Sequence, residues 1–183
     1  MAIARYLDKV YLFIVGTQLF GMLALDLVQF YPKALWESPS SPLHFLVSLK
    51  AAYTSYSGDP FFAEPAHEPW FQACILIEGL VQLPLCAYLA YKLASSVTTD
   101  PRTELSGIAF GCTTGFGAAV SCYHIAQLGA EVLDPVKKTS LLWGTYFPFT
   151  LILWGFSAVL MAVDMHFRIL ARISNLEKKV KSQ

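Results

Sequence analysis

The chain has 183 residues, 55% of them hydrophobic and only 14% charged, well below the roughly one quarter that an ordinary soluble domain carries. Thirteen basic residues balance thirteen acidic ones, which excludes a nucleic-acid binder working through a basic face and a disordered, strongly charged chain. The apolar residues collect into blocks long enough for the ~20-residue helix that crosses a bilayer, so the sequence reads as an all-α membrane protein.

The first block, Val10–Phe30, is broken only by Thr17, Gln18, Asp26 and Gln29. It is longer than the apolar core of a cleaved signal peptide and no small-x-small site follows, so it is expected to remain as a span. A 40-residue segment, Tyr31–Trp70, comes next, with prolines at 32, 39, 42, 60, 65 and 69. Its centre, Leu43–Tyr56, has helical apolar periodicity and is expected to lie on the membrane surface, with ordered loop around it. The second block, Phe71–Leu93, carries Glu78, Gln82 and Pro84. The third, about Leu105–Leu128, is rich in glycine and alanine. The spacing Gly107, Gly111, Gly115 predicts a smooth ridge against which another helix packs closely. The fourth, Ser140–Val163, has Tyr146 as its sole ionisable group and Pro148 inside it. Pro84 and Pro148 each remove a backbone donor, and the resulting kinks are expected to open a cavity. The expected fold is therefore a four-transmembrane-helix bundle, with a short interfacial helix and ordered loop between helices 1 and 2. The sequence shows no internal repeat, low-complexity tract or second domain.

Lysine and arginine counts orient the bundle. Arg5, Lys9, Lys92, Arg102, Arg168, Arg172, Lys178, Lys179 and Lys181 fall on one side, against Lys33, Lys50, Lys137 and Lys138 on the other. Both termini are thus expected in the cytosol, with 166–183 as a basic tail. Lys179 and Lys181 stand in the pattern of a dilysine retrieval signal, which would return the protein to the endoplasmic reticulum; the alternative is a basic tail beside an anionic leaflet.

Ionisable groups at bilayer depth mark function. Asp26 lies near the end of the first block and Glu78 about two turns into the second, both toward the lumenal side, with Gln82 on the same helical face as Glu78. Two acids in one apolar pocket share a proton, and such a pair suits either protonation of a double bond or epoxide, or pairing with a lipophilic ammonium ion. The alternative is a snorkelling Asp26 and a Glu78 that ties two helices together. Thr113 and Thr114 either line a cavity or bond their own helix carbonyls. His124 reads as a satisfied interfacial histidine. Trp143, Tyr146, Phe149 and Trp154 form an aromatic set that packs or belts the interface, with Tyr146 beside Pro148 placed to reach a pocket. Asp59-Pro60 reads as a turn starter. Cys74, Cys86, Cys112 and Cys122 read as free thiols at helix contacts, with no disulfide framework, metal site or cofactor motif.

Several of these residues stand together in a known pattern. Asp26-Leu27, Gly58-Asp59-Pro60 followed by Glu64-Pro65 and Trp70-Phe71, and Glu78-x-x-x-Gln82-Leu83-Pro84 resemble the EXPERA family over about residues 8–165. The family holds a sterol Δ8-Δ7 isomerase branch and a sigma-2 receptor branch, and the aromatic–Pro–aromatic run Tyr146–Phe149 is more similar to the latter. The resemblance implies a single domain whose pocket opens sideways to the bilayer, a sterol or lipophilic amine as ligand, no cofactor, and a homodimer. It implies Asp26 as the ligand-pairing acid and Asp59 as a loop acid folded over the pocket and ordering Asp26. Glu78 and Gln82 would be polar pocket residues, with Thr113, Thr114, Tyr146 and Phe149 as walls. The chain departs from the isomerase branch at Met22, where that branch has a histidine, while Asp26 and Glu78 match its two proton-transferring acids. The expected function is a non-enzymatic ligand-binding protein of sterol homeostasis. The rival is an acid–base isomerase or cyclase of a sterol or terpenoid, and the third reading a helix-assembling chaperone.

Overall fold

A computed structural model describes residues 2–63, 68–95, 98–150 and 157–182, all helix, turn or loop with no strand among them. Glu64, Pro65 and Trp154 of the motifs above lie outside these residues. Helix α1 (Ala2–Gly21) continues through a π turn at Met22–Asp26. A 3-10 turn at Val28–Phe30 and another at Lys33–Leu35 lead to α2 (Phe45–Ser57), close to the helix expected at 43–56. Leu46 is its buried contact, packed with Ala24 and Val28. Gly58 ends α2 in the left-handed region (φ 67°), where a residue with a Cβ is strained, and its N–H bonds the Thr54 carbonyl at 2.8 Å.

After a single turn at Pro60–Ala63, α3 runs Pro69–Ala94 and α4 runs Pro101–Gln127. Asp100 caps α4, accepting from the Thr103 N–H at 2.7 Å. Helix α5 starts at Pro135–Leu141, capped by Asp134, and continues through a π turn, Leu142–Tyr146, to Phe147–Thr150. Helix α6 (Ala158–Lys181) is capped by the Ser157 hydroxyl and carries the basic C-terminal residues without a break. Three described helices are long and apolar enough to cross a membrane: Arg5–Asp26, Pro69–Ala94 and Pro101–Gln127. The fourth expected span corresponds to α5 and the start of α6, with 151–156 between them.

The glycine ridge packs as its spacing predicts. A Cβ on Gly107 would overlap the Met165 sulfur, one on Gly111 would overlap the Ala158 carbonyl oxygen, and one on Gly115 would lie 2.6 Å from a Val159 methyl. Lipid tails are as apolar as leucine, so helices in a bilayer gain most from this close van der Waals contact. Helix α4 therefore seats the first turns of α6 against Gly107, Gly111 and Gly115, while Tyr11, Leu89, Phe110 and Met165 fill the core between helices.

Charged residues join the helices at the end opposite α2. Arg168 pairs with Asp8 of α1 at 2.6 Å and with Asp164 at 2.7 Å. Arg172 grips Glu104 of α4 through two nitrogens at 2.9–3.2 Å, and Glu104 is only 1% exposed. Read from the sequence, these arginines belong to a basic tail. Their partners Asp8 and Glu104 are far away in the chain, and only the fold brings them together.

Candidate functional site

The three π turns hold the chemistry. In each, a backbone N–H bonds the carbonyl five residues back: Leu27 to Met22, Leu83 to Glu78, and Phe147 to Leu142. Prolines account for two of them. The rings of Pro84 and Pro148 crowd the carbonyls four residues earlier, those of Leu80 and Gly144, and a widened turn takes up that clash. The wider turn shifts the side-chain rotation along the helix, and π turns of this kind are frequent at functional sites. Here they carry Asp26, both Glu78 and Gln82, and Tyr146.

All four side chains line one cavity of about 300 Å³ near the α2 end of the bundle. Helix α1 contributes Thr17, Gln18 and Asp26, and α4 contributes Thr113, Thr114 and Ser121. Phe62, Phe71, Ile75, Phe116 and Phe149 make much of the rest apolar. The Asp26 carboxyl lies within electrostatic reach of Glu78 and Asp59. Gln82, 4% exposed, accepts a 3.0 Å hydrogen bond from the Thr114 hydroxyl, which fixes α3 to α4 at the cavity floor. Thr113 also lines the cavity while donating to its own helix carbonyls, Ala109 and Phe110, so both threonines are wall residues and Thr113 meets both readings at once.

Asp59 stands behind the wall rather than on it. It is fully buried, and its Oδ2 accepts from the hydroxyls of Tyr53 (2.7 Å) and Tyr146 (3.0 Å), both cavity residues. Its Oδ1 accepts from the Phe61 N–H at 3.0 Å, and its own N–H donates to Ser57. The side chain thus starts the turn, as expected, and also latches α2 to α5. Burial raises its pKa above the ordinary carboxylate range, and the three hydrogen bonds work against that rise. Burial, with the Asp59 charge second, likewise pushes the Tyr53 hydroxyl up.

An aromatic layer closes this end. Phe61 stacks on Phe71 at 4.6 Å and meets Trp70 and Tyr146 edge-on at 5.3 and 6.0 Å. His124 packs into it, 5.3 Å from Trp70 and 5.4 Å from Phe61, and is not a cavity residue, which fits a packed interfacial histidine. All four cysteines are free; Cys74 borders the cavity. Among the described residues no three His, Cys, Asp or Glu cluster as a metal site would need.

Sequence reasoning passed over Thr17, Gln18, Tyr53, Phe62 and Ser121. Gln18 and Asp26 are eight apart and share a helical face, a usable signal in the first block. Tyr53 carried none, because its place depends on the turn at Gly58-Asp59.

The geometry offers a fixed, largely apolar hollow with two carboxyls, two amides and hydroxyls on its walls. Such a site holds a lipophilic molecule with one polar or cationic group, or passes a proton to and from it. No match was found among curated proteins or among solved structures. A family model described as EXPERA (EXPanded EBP superfamily) matches residues 45–165, which takes in every cavity residue of α2 to α5 and leaves out those of α1. The residues matched make up more than half of the chain, and the chain belongs to the EXPERA family, membership that fits a sterol-related, multi-pass membrane protein.

Proposed function

We propose that this protein binds a sterol or a lipophilic amine inside the bilayer and serves sterol homeostasis as a sigma-2 receptor-like member of its family. The observation that carries the reading is the placing of Asp26 and Glu78 on the walls of a single, mostly apolar cavity. An ammonium or a polar ring substituent pairs with Asp26, and the hydrophobic body lies against Phe71, Phe116 and Phe149. In this reading α5 with the start of α6 makes a fourth span and both termini are cytosolic. Lys179 and Lys181 act as an endoplasmic reticulum retrieval signal, and the chain forms a homodimer as its family resemblance implies. The exposure of both lysines supports their being read by a receptor.

The same two acids favour a second reading, an isomerase or cyclase needing no cofactor. One carboxylic acid adds its proton to a double bond of a sterol or terpenoid, leaving a carbocation. The other, as carboxylate, takes a proton from the adjacent carbon and the double bond re-forms one position along. One proton enters and one leaves. Incubation of the purified protein in deuterated water with sterols and terpenoid alkenes separates the two. Lipids recovered bound but unlabelled support the binding protein. Deuterium incorporation that disappears in both Asp26→Asn and Glu78→Gln makes the protein an enzyme and ends the first reading.

A further inference from the structure

A second hollow of about 480 Å³ lies between α3 and α4, on the side of Pro84, Leu85 and Ser106, separate from the cavity of the acids. Its lining is graded along the helices. Pro84, which is exposed, and Leu85 form the apolar end; Tyr88 and Ser106 come next; Lys92, Asp100 and Arg102 form the polar end, its mouth. Helical spacing produces the gradient, since Pro84, Tyr88 and Lys92 are successive i, i+4 neighbours on α3, and Arg102 and Ser106 are i, i+4 neighbours on α4.

The polar groups are unequally committed. Lys92 pairs loosely with Asp100 at 3.4 Å and lies 5.8 Å from the Tyr88 ring, and the Tyr88 hydroxyl meets Thr103 at 3.3 Å. Arg102 is exposed and has no ion pair or hydrogen bond among the described residues, and neither does the Ser106 hydroxyl. With Asp100 also counted, the mouth has a net charge of one positive. It lies at the end of the bundle where Arg168 and Arg172 join the helices.

We infer that this groove binds an anionic glycerophospholipid of the surrounding bilayer. Arg102 and Lys92 take the headgroup, Ser106 donates to a phosphate oxygen, and an acyl chain runs down over Leu85 and Pro84. Basic pockets between membrane helices are recognised headgroup sites, and each basic residue near an anionic lipid surface adds to the attraction. The apolar stretch that continues from the basic mouth over Leu85 to the exposed Pro84 is what separates a lipid from a free phosphate ester as the occupant.

The test is native mass spectrometry of the full chain in detergent, titrated with phosphatidylserine and, separately, with phosphatidylcholine of the same acyl chains. The wild type should retain phosphatidylserine with about tenfold preference, and Lys92→Gln/Arg102→Gln should lose about that factor. The single variant Arg102→Gln, at an exposed side chain with no partner among the described residues, should lose part of it without touching the fold. Arg5→Gln/Lys9→Gln removes two exposed charges at the same end and should retain the lipid. Soluble glycerophosphoserine should compete poorly. Equal retention of the two lipids overturns the inference, as does full retention in the double variant or equal loss in the Arg5/Lys9 control. Competition by glycerophosphoserine as strong as by the lipid would make the groove a site for a free phosphate ester.

Discussion

Replacing Asp59 with alanine tests the latch on which the cavity wall depends. The side chain accepts from Tyr53, Tyr146 and the Phe61 N–H, so its loss leaves three donors without an acceptor. A buried donor left unpaired costs about 1–3 kcal/mol. Removing a buried carboxyl whose charged form is disfavoured by burial returns part of that sum, and we expect a net loss of about 3 kcal/mol. For a chain of this size that is a fall in Tm on the order of 10 °C. Asp59→Asn should cost far less, because both tyrosine hydroxyls rotate and can accept from the amide NH₂. The pH response has a definite sign. With the folded pKa of Asp59 above its unfolded value, the folded state binds the extra proton between those two values, so stability falls as pH rises through the window and recovers on acidification. Asp59→Asn should flatten that contribution. Thermal unfolding in detergent at several pH values, with lipid binding measured alongside, provides the assay. An alanine variant as stable as wild type, or an asparagine variant as damaged as alanine, would refute the latch.

Other outcomes follow from the same structure. Gly111→Ala sets a Cβ against the Ala158 carbonyl and should cost about 1–3 kcal/mol in thermal unfolding, while Gly117→Ala, with open space around it, should not. Arg172→Met leaves the buried Glu104 carboxylate with the Thr99 hydroxyl but no cation among the described residues, and with Arg172 itself partly exposed it should cost about 1.5–3 kcal/mol, most of it restored in the double variant Glu104→Leu/Arg172→Met. Thr114→Val leaves the Gln82 carbonyl oxygen without its donor and should lower stability by about 1–2 kcal/mol, read from the same melting curves.

The parts of the molecule legible in the sequence are those fixed by short-range pattern. Block length located the three described helices long and apolar enough to cross a membrane, glycine spacing marked the close-packing ridge of α4 but not which helix fills it, and Glu78 and Gln82 were placed on one face by their separation. The prolines at 84 and 148 pointed to irregular helix, although the form it takes, a π turn just before each, depends on backbone bonds that sequence does not display. The π turn at Asp26 has no proline after it and gave no signal. What stayed hidden depends on distant partners: Asp59 reads as a turn residue until Tyr146, 87 positions on, donates to it. Arg168 and Arg172 likewise read as tail charges until Asp8 and Glu104 face them.

The proposed function rests on Asp26 and Glu78 together equipping one cavity for a lipophilic ligand. Its most direct test is to purify wild type, Asp26→Asn and Glu78→Gln in parallel and identify the copurifying lipids by mass spectrometry. A sterol or a lipophilic amine is expected at near-stoichiometric level with wild type and is expected to be lost with Asp26→Asn, which should still unfold cooperatively, with a Tm lowered only by the missing ligand. The same lipids at the same level in wild type and Asp26→Asn, or no bound lipid in any of the three, would contradict it.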